Sequence, residues 1–191
     1  MKGCGCLVVV ALIAIVAVVL VVGAMRAPTL MPVETSHTQA LAAQTKLAEV
    51  TAAVAMAKQS GRPTPFSETF TDGELSSLVN EHIAAAGVPF DTVVLHSNPA
   101  GYLEGQAEAH LAGQTFPLYL RANIDVNGGQ ASLHLVQSKL GLVGVPGPIS
   151  TQIDAALKQT VNFGNQAPVD HLLVKFGKGT LTISGVAKPA P

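Results

Sequence analysis

Between Leu7 and Met25 the chain runs for 19 residues without a charged side chain. At about 1.5 Å per residue, a helix of that length spans about 28 Å, close to the hydrocarbon thickness of a bilayer. Thirteen of those residues are Leu, Ile or Val. At about −0.3 to −0.6 kcal/mol each, they favour insertion by about 4–8 kcal/mol. The run predicts one transmembrane helix over 7–25 behind a short tail, 1–6. The competing reading is a cleaved signal peptide, for which Val22-Gly23-Ala24 offers a small-residue site. Signal h-regions of about 7–15 residues are shorter than this run. Lys2 and the free amine precede the span and Arg26 follows it, so flanking charge is nearly balanced. A short n-region before a long polar domain predicts a signal anchor with the N-terminus inside.

The two cysteines, Cys4 and Cys6, both precede the apolar run. A disulfide framework in the domain is thereby excluded. A bacterial lipoprotein would carry its Cys after the apolar stretch, and here the order is reversed. From Ala27 onward nine Lys/Arg stand against twelve Asp/Glu, a net of −3. A nucleic-acid partner would need a basic footprint, and capture by anionic lipid would need a polybasic one. With no Trp, six Phe and two Tyr, the core must be built from Val, Leu, Ile and Ala.

Pro28 and Pro32 predict a short extended spacer over 27–33. An Ala/Gln-rich helix follows over 37–59, with Ala40, Leu47 and Val54 at heptad position a and Ala43, Val50 and Ala57 at d. That stripe suits a weak homodimer or packing on its own domain. Gly61, Pro63 and Pro65 end the helix and mark a boundary. Thr71 and Glu74 have the spacing of a capping box. Leu75, Leu78, Val79, His82, Ile83 and Ala86 then recur on one helical face, and Gly87 and Pro89 end the helix. His82 on that face is expected to be buried or at its boundary.

Beyond residue 90 the period changes from 3.6 to 2. Leu103, Gly105, Ala107, Ala109 and Leu111 alternate with polar residues, as do Phe116, Leu118, Leu120, Ala122, Ile124 and Val126. This is the pattern of antiparallel strands with one apolar and one wet face. Further strands are predicted over 91–97, 130–137, 169–176 and 180–186, the last two joined by Gly177-Lys178-Gly179. A second amphipathic helix is predicted over 149–162. The expected fold is α+β: a transmembrane helix, a juxtamembrane helix, then a curved antiparallel sheet of about six strands packed on two amphipathic helices. The boundaries are 1–6, 7–25, 26–65 for spacer and juxtamembrane helix, and 66–188 for the α+β domain.

Candidate chemistry is sparse. Gly141, Gly144 and Gly147 match neither a phosphate loop nor a dinucleotide fingerprint. His96, His110 and His134 lie on separate strands without zinc-ligand spacing, so exposed strand histidines are expected and no metal or cofactor. Glu104 and Glu108 sit about 13 Å apart along one strand, too far for an acid/base pair. Arg121 is expected to pair across strands with Glu104, Glu108 or Asp125.

A single span, an Ala/Gln-rich helix, Phe70-Thr71-Asp72-Gly73-Glu74-Leu75-Ser76-Ser77-Leu78, Gly105 in a strand and Gly144-Val145-Pro146 occur in that order. The arrangement resembles poorly characterised bacterial single-span envelope proteins with an outward-facing domain. Over residues 66–187 it is similar to half of a tubular lipid-binding (BPI-like) module, a curved antiparallel sheet wrapped around a helix. The resemblance implies a bacterial cytoplasmic membrane, an extracytoplasmic domain and no catalytic residues. Two functions follow from it. In one, lipid or another apolar ligand lies between sheet and helices, lined by Leu75, Leu78, Leu118, Leu120, Ile124, Leu133, Leu135, Ile153 and Leu157. Gly105, Ala107, Ala109 and Ala122 would leave it room, though the same small residues let a helix pack closely. In the other, a filled domain serves as the non-enzymatic scaffold of an envelope complex. A Cys introduced into the domain is expected to react with an impermeant reagent on intact cells. Labelling only after lysis would place the domain inside.

Overall fold

The computed structural model describes residues 30–86, 90–111, 114–127, 130–141, 143–144 and 169–189. Among these, the chain forms helix α1 (His37–Ser60), strand β1 (Thr64–Thr71), helix α2 (Asp72–Ala86), strands β2 (Phe90–Asn98), β3 (Tyr102–Leu111), β4 (Gln114–Asn127), β5 (Gln130–Leu140) and β6 (Val143–Gly144), and the hairpin β7 (Val169–Gly177) and β8 (Thr180–Ala187). The expected run over 7–25, Cys4 and Cys6, and the expected helix over 149–162 with Ile153 and Leu157 lie outside the described residues. Among the described residues no helix is long and apolar enough to cross a membrane.

The class is α+β with antiparallel pairing throughout, but the strands form two sheets where one was expected. The larger has the order β2-β3-β4-β5-β6 and the smaller β1-β8-β7. The difference comes from β1, over residues taken from the sequence as a Pro-marked boundary. Pro65 is tolerated there because β1 is an edge strand, where a missing N–H costs no ladder bond. Phe66 and Glu68 are half-buried and Phe70 buried, while Pro65, Ser67 and Thr69 face solvent. β1 pairs along its whole length with β8, setting Phe70 opposite Leu181. That pairing draws the C-terminal hairpin away from the larger sheet.

α1 begins at Ser36, whose hydroxyl accepts from the Gln39 N–H, and ends on Gly61 in the left-handed conformation at φ 66°. Its heptad stripe is used within the chain: Ala40, Ala43 and Ala57 are fully buried, and α1 packs on α2 and β1. Lys46 clamps the three elements. Its Nζ donates to both Glu74 carboxylate oxygens at 2.6 and 2.7 Å and to the Thr69 carbonyl at 2.6 Å. Residue 66, drawn from sequence as the start of the domain, falls inside β1.

The capping box of α2 forms as its spacing predicts. The Glu74 N–H donates to Thr71 Oγ1 and the Thr71 N–H donates to Glu74 Oε2. A second set of bonds fastens α2 to the open edge of β2. Asp72 Oδ1 accepts from the Ser97 N–H at 2.8 Å, Ser76 Oγ from the Leu95 N–H at 2.8 Å, and Asn80 Oδ1 from the Val93 N–H at 2.7 Å. Asn80 Nδ2 donates back to the Val93 carbonyl at 3.0 Å. The periods match: four helical residues rise about 6.0 Å, and two strand residues advance about 6.6–6.8 Å. Of the other two edge carbonyls, that of Leu95 accepts from Ser76 Oγ at 3.5 Å and that of Ser97 from the Gly179 N–H in the β7–β8 turn, while the Gly179 carbonyl accepts from the Asp72 N–H. Gly179 reaches this position at φ 74°, which only glycine adopts cheaply.

Asn80→Leu strips Val93 of both partners and is expected to destabilise by about 1–3 kcal/mol in urea unfolding. Asn80→Asp keeps an acceptor for the Val93 N–H and costs less. Thr69→Val, at an exposed β1–β8 pair, stays within about 0.5 kcal/mol. Equal effects for Asn80→Leu and Thr69→Val would show that the helix–edge bonds contribute nothing.

Candidate functional site

The residues expected to line an apolar site divide into two groups. On β4 and β5, register brings Leu118 opposite Leu140, Ala122 opposite Leu135 and Ile124 opposite Leu133, all on one face of the larger sheet. An irregularity between Arg121 and Ala122 is what keeps that face apolar. It skips Val136, which stands 57% exposed, so that Leu133 and Leu135 share a face with Leu140 despite the odd-to-even change. β3 extends the face with Ala107 opposite Leu118 and Gly105 opposite Leu120. Leu118 and Leu133 are buried, and Leu120, Ile124 and Leu135 are half-buried. Leu75 and Leu78 are half-buried on α2, which packs on β2, α1 and β1. β2 is two strands from β4, about 10 Å away, so α2 sets this second group beside the β2 edge, apart from the β4–β5 group.

Gly105 was expected to leave room on the face. A Cβ there would stand 3.3 Å from Leu95 Cδ2, so the Leu95 side chain already occupies that space. One polar atom interrupts the apolar surface. Ser97 alternates with Leu95 and Val93 toward this face, is 5% exposed, and its Oγ has no hydrogen-bond partner.

The opposite face, expected to be wet, carries a bonded network. Glu104 Oε1 accepts from the Tyr119 hydroxyl at 2.5 Å and from Arg121 Nη2 at 3.0 Å, and its other oxygen accepts from Asn98 at 3.4 Å. The Arg121 guanidinium lies 4.2 Å from the centre of the Tyr102 ring. Of the three acidic partners open to Arg121, register selects Glu104, directly across the β3–β4 pair. Burial pushes the Glu104 carboxyl up, but donation from Tyr119, Arg121 and Asn98 outweighs it and holds Glu104 below the ordinary value of 4.5. Burial and the adjoining Glu104 push Tyr119 above its ordinary value. Tyr119 is buried, which alternation alone did not predict.

Segment 30–36 lies on the same side. The Leu30 N–H donates to Gln106 Oε1 at 2.9 Å, and His96 stands between Met31 O and Asp72 Oδ2 at 2.7 and 3.0 Å. His96 is therefore half-buried and bonded, where an exposed strand histidine was expected. His82, expected at the buried face of its helix, is exposed, its ring turned back to the Leu78 carbonyl at 2.9 Å. His134 is half-buried, near Ser132 and 3.6 Å from Asp125. Among the described residues no three His, Cys, Asp or Glu side chains converge as metal ligands. Asp72, Glu74 and Glu104 each spend their oxygens on structural donors.

Asp72, Ser76 and Asn80 were not singled out from sequence. Their signal was there: three short polar side chains at four-residue intervals, flanking an apolar stripe. Neither any protein-family model nor any curated protein sequence matches the chain.

Glu74 is also held below its ordinary value, with burial opposed and outweighed by Lys46 and Thr71. For carboxyls lowered on folding, the stabilisation is present above the ordinary value of 4.5 and is lost as pH falls through the lowered folded one. Stability is therefore expected to decline as pH falls below 4.5. Glu104→Gln should flatten part of that decline, as read by urea unfolding at each pH. An unchanged slope in Glu104→Gln would remove Glu104 as a contributor.

Proposed function

We propose that this chain is a single-pass, membrane-anchored domain on the extracytoplasmic side of a bacterial cytoplasmic membrane. It holds a lipid or similar apolar molecule against the face formed by Leu118, Leu120, Ile124, Leu133 and Leu135, and it is not an enzyme. The uncharged run over 7–25 supports the anchor. The observation that carries the ligand is Ser97. A buried hydroxyl without a partner costs about 1–3 kcal/mol, and native structures keep few such groups without a reason. An apolar face holding one donor suits an acyl chain that ends in an ester or carboxylate oxygen.

A second reading, an interaction domain with a filled core, is favoured by Leu95 beside Gly105. It is favoured also by the outward face of α1, where Leu41 and Met56 are 47% and 59% exposed.

Native mass spectrometry of the full chain released from membranes separates the two. A stoichiometric lipid adduct, and binding of a dansyl-labelled fatty acid to delipidated protein, are expected. Ser97→Ala should weaken that binding about tenfold, one lost hydrogen bond, while leaving stability unchanged or raised. A lipid-free protein that also fails to take up the fatty acid would leave the interaction domain as the reading.

A further inference from the structure

The His96 ring has an acceptor at each nitrogen. Nδ1 is 3.0 Å from Asp72 Oδ2, and Nε2 is 2.7 Å from the Met31 carbonyl oxygen. A carbonyl oxygen only accepts, so the Nε2 bond needs a proton on that nitrogen. A neutral imidazole carries one N–H and an imidazolium carries two. Only the charged ring serves both neighbours. Asp72 Oδ1 already accepts from the Ser97 N–H, and Asp72 opens α2, where negative charge is favoured. Across the β2–β3 pair stands Glu104, its carboxylate taken up by Tyr119, Arg121 and Asn98. Among the other elements nearby, Lys178 in the β7–β8 turn and Glu34 in the leading segment are exposed. When the ring loses one proton, the N–H left to it is drawn to the carboxylate. Nε2 then opposes the Met31 carbonyl with a lone pair.

We propose that His96 is a pH-dependent latch on the segment entering the domain: the charged ring docks Met31 on the sheet, and the neutral ring releases it. Elsewhere the segment is held by half-buried Leu30 and Val33 and by the Gln39 amide, which donates to the Glu34 carbonyl at 2.6 Å. Residues 30–36 form neither helix nor strand, and the Met31 side chain is 77% exposed. The flanking bonds are Leu30 N–H to Gln106 and Ser36 N–H to Ser77 Oγ.

The consequence for the membrane rests on the anchor over 7–25 proposed above. Docked, the chain covers five Cα-to-Cα steps from Met25 to Leu30, a reach of at most about 18 Å. Released back to Ser36, with the Leu30 N–H also leaving Gln106, it covers eleven steps, a reach of about 40 Å. Protonation of one ring thus halves the distance the domain can stand from its anchor.

The test uses the full chain in detergent micelles, with Cys4→Ser, Cys6→Ser and a nitroxide on Met31→Cys. Label mobility is read by electron paramagnetic resonance over about pH 5 to 8, with the His96 charge state followed by nitrogen NMR in the same sample. The ratio of mobile to immobile label is expected to rise about tenfold as His96 loses its proton, the loss of one charge-assisted bond. His96→Gln, whose amide can donate at every pH, should show no such rise. The latch is overturned by an equal rise in His96→Gln, by an immobile label after His96 discharges, or by a ring that keeps one charge state throughout. Recovery of the chain in the aqueous fraction would refute the anchor and leave the micelle result intact, so the two failures are distinguishable.

Discussion

The fold depends on how the open edge of β2 is closed. An edge strand presents a row of unpaired N–H and C=O groups and invites pairing with other chains. Here α2 lays Asp72, Ser76 and Asn80 along that row, one residue per turn, and the β7–β8 turn supplies the last donor. A helix seldom saturates a strand edge in this way, because it needs short polar side chains repeated every fourth residue. Such residues weaken a helix by competing for its backbone. The cost is offset by strong local terms at the start of α2: the capping box and the Lys46 clamp on Glu74.

The same arrangement sets the larger architecture. β1 runs without a break into α2, so the smaller sheet ends where the edge ladder begins. Asp72 is the junction. Its N–H reaches the Gly179 carbonyl of the hairpin, and its carboxylate reaches the Ser97 N–H and the His96 ring on β2. Two sheets that share no ladder bond are thus joined at Asp72 and, beside it, by the Gly179 N–H on the Ser97 carbonyl. α1 completes the unit by covering α2 and β1 with alanines small enough for close approach, Ala40, Ala43 and Ala57.

Much of this was legible in the sequence because it is local. Both described helices and the six predicted strands lie within a few residues of their expected bounds, since caps, glycines and hydrophobic period act over short spans. What was not legible depends on pairing. Pro65 marks a break in any single-sequence reading, and only the position of β1 at an edge makes it harmless. Tyr119 looks solvent-facing by alternation and is buried because Glu104, one strand away, receives its hydroxyl. His96 looks like a surface histidine until Met31, 65 residues earlier, is brought against it. On the apolar face, Val136 breaks the alternation of β5, and no periodic template assigns Leu133, Leu135 and Leu140 to one side without knowing where the irregularity falls.

The proposed ligand face and the proposed latch are on opposite sides of the sheet, yet they meet. His96 and Ser97 are consecutive in β2, so their side chains project to opposite faces. Asp72 bonds both, taking the ring of one and the backbone N–H of the other on its two oxygens. A ligand oxygen on Ser97 Oγ would fix the strand at the residue whose backbone Asp72 grips. When Met31 is released, the neutral His96 ring would keep its N–H on that same carboxylate. Any such coupling must act equally in both directions: if the docked segment strengthens ligand binding, the ligand strengthens docking by the same factor. The carboxylate at the start of α2 is thus both the joint of the fold and the place where anchoring and ligand would be felt together.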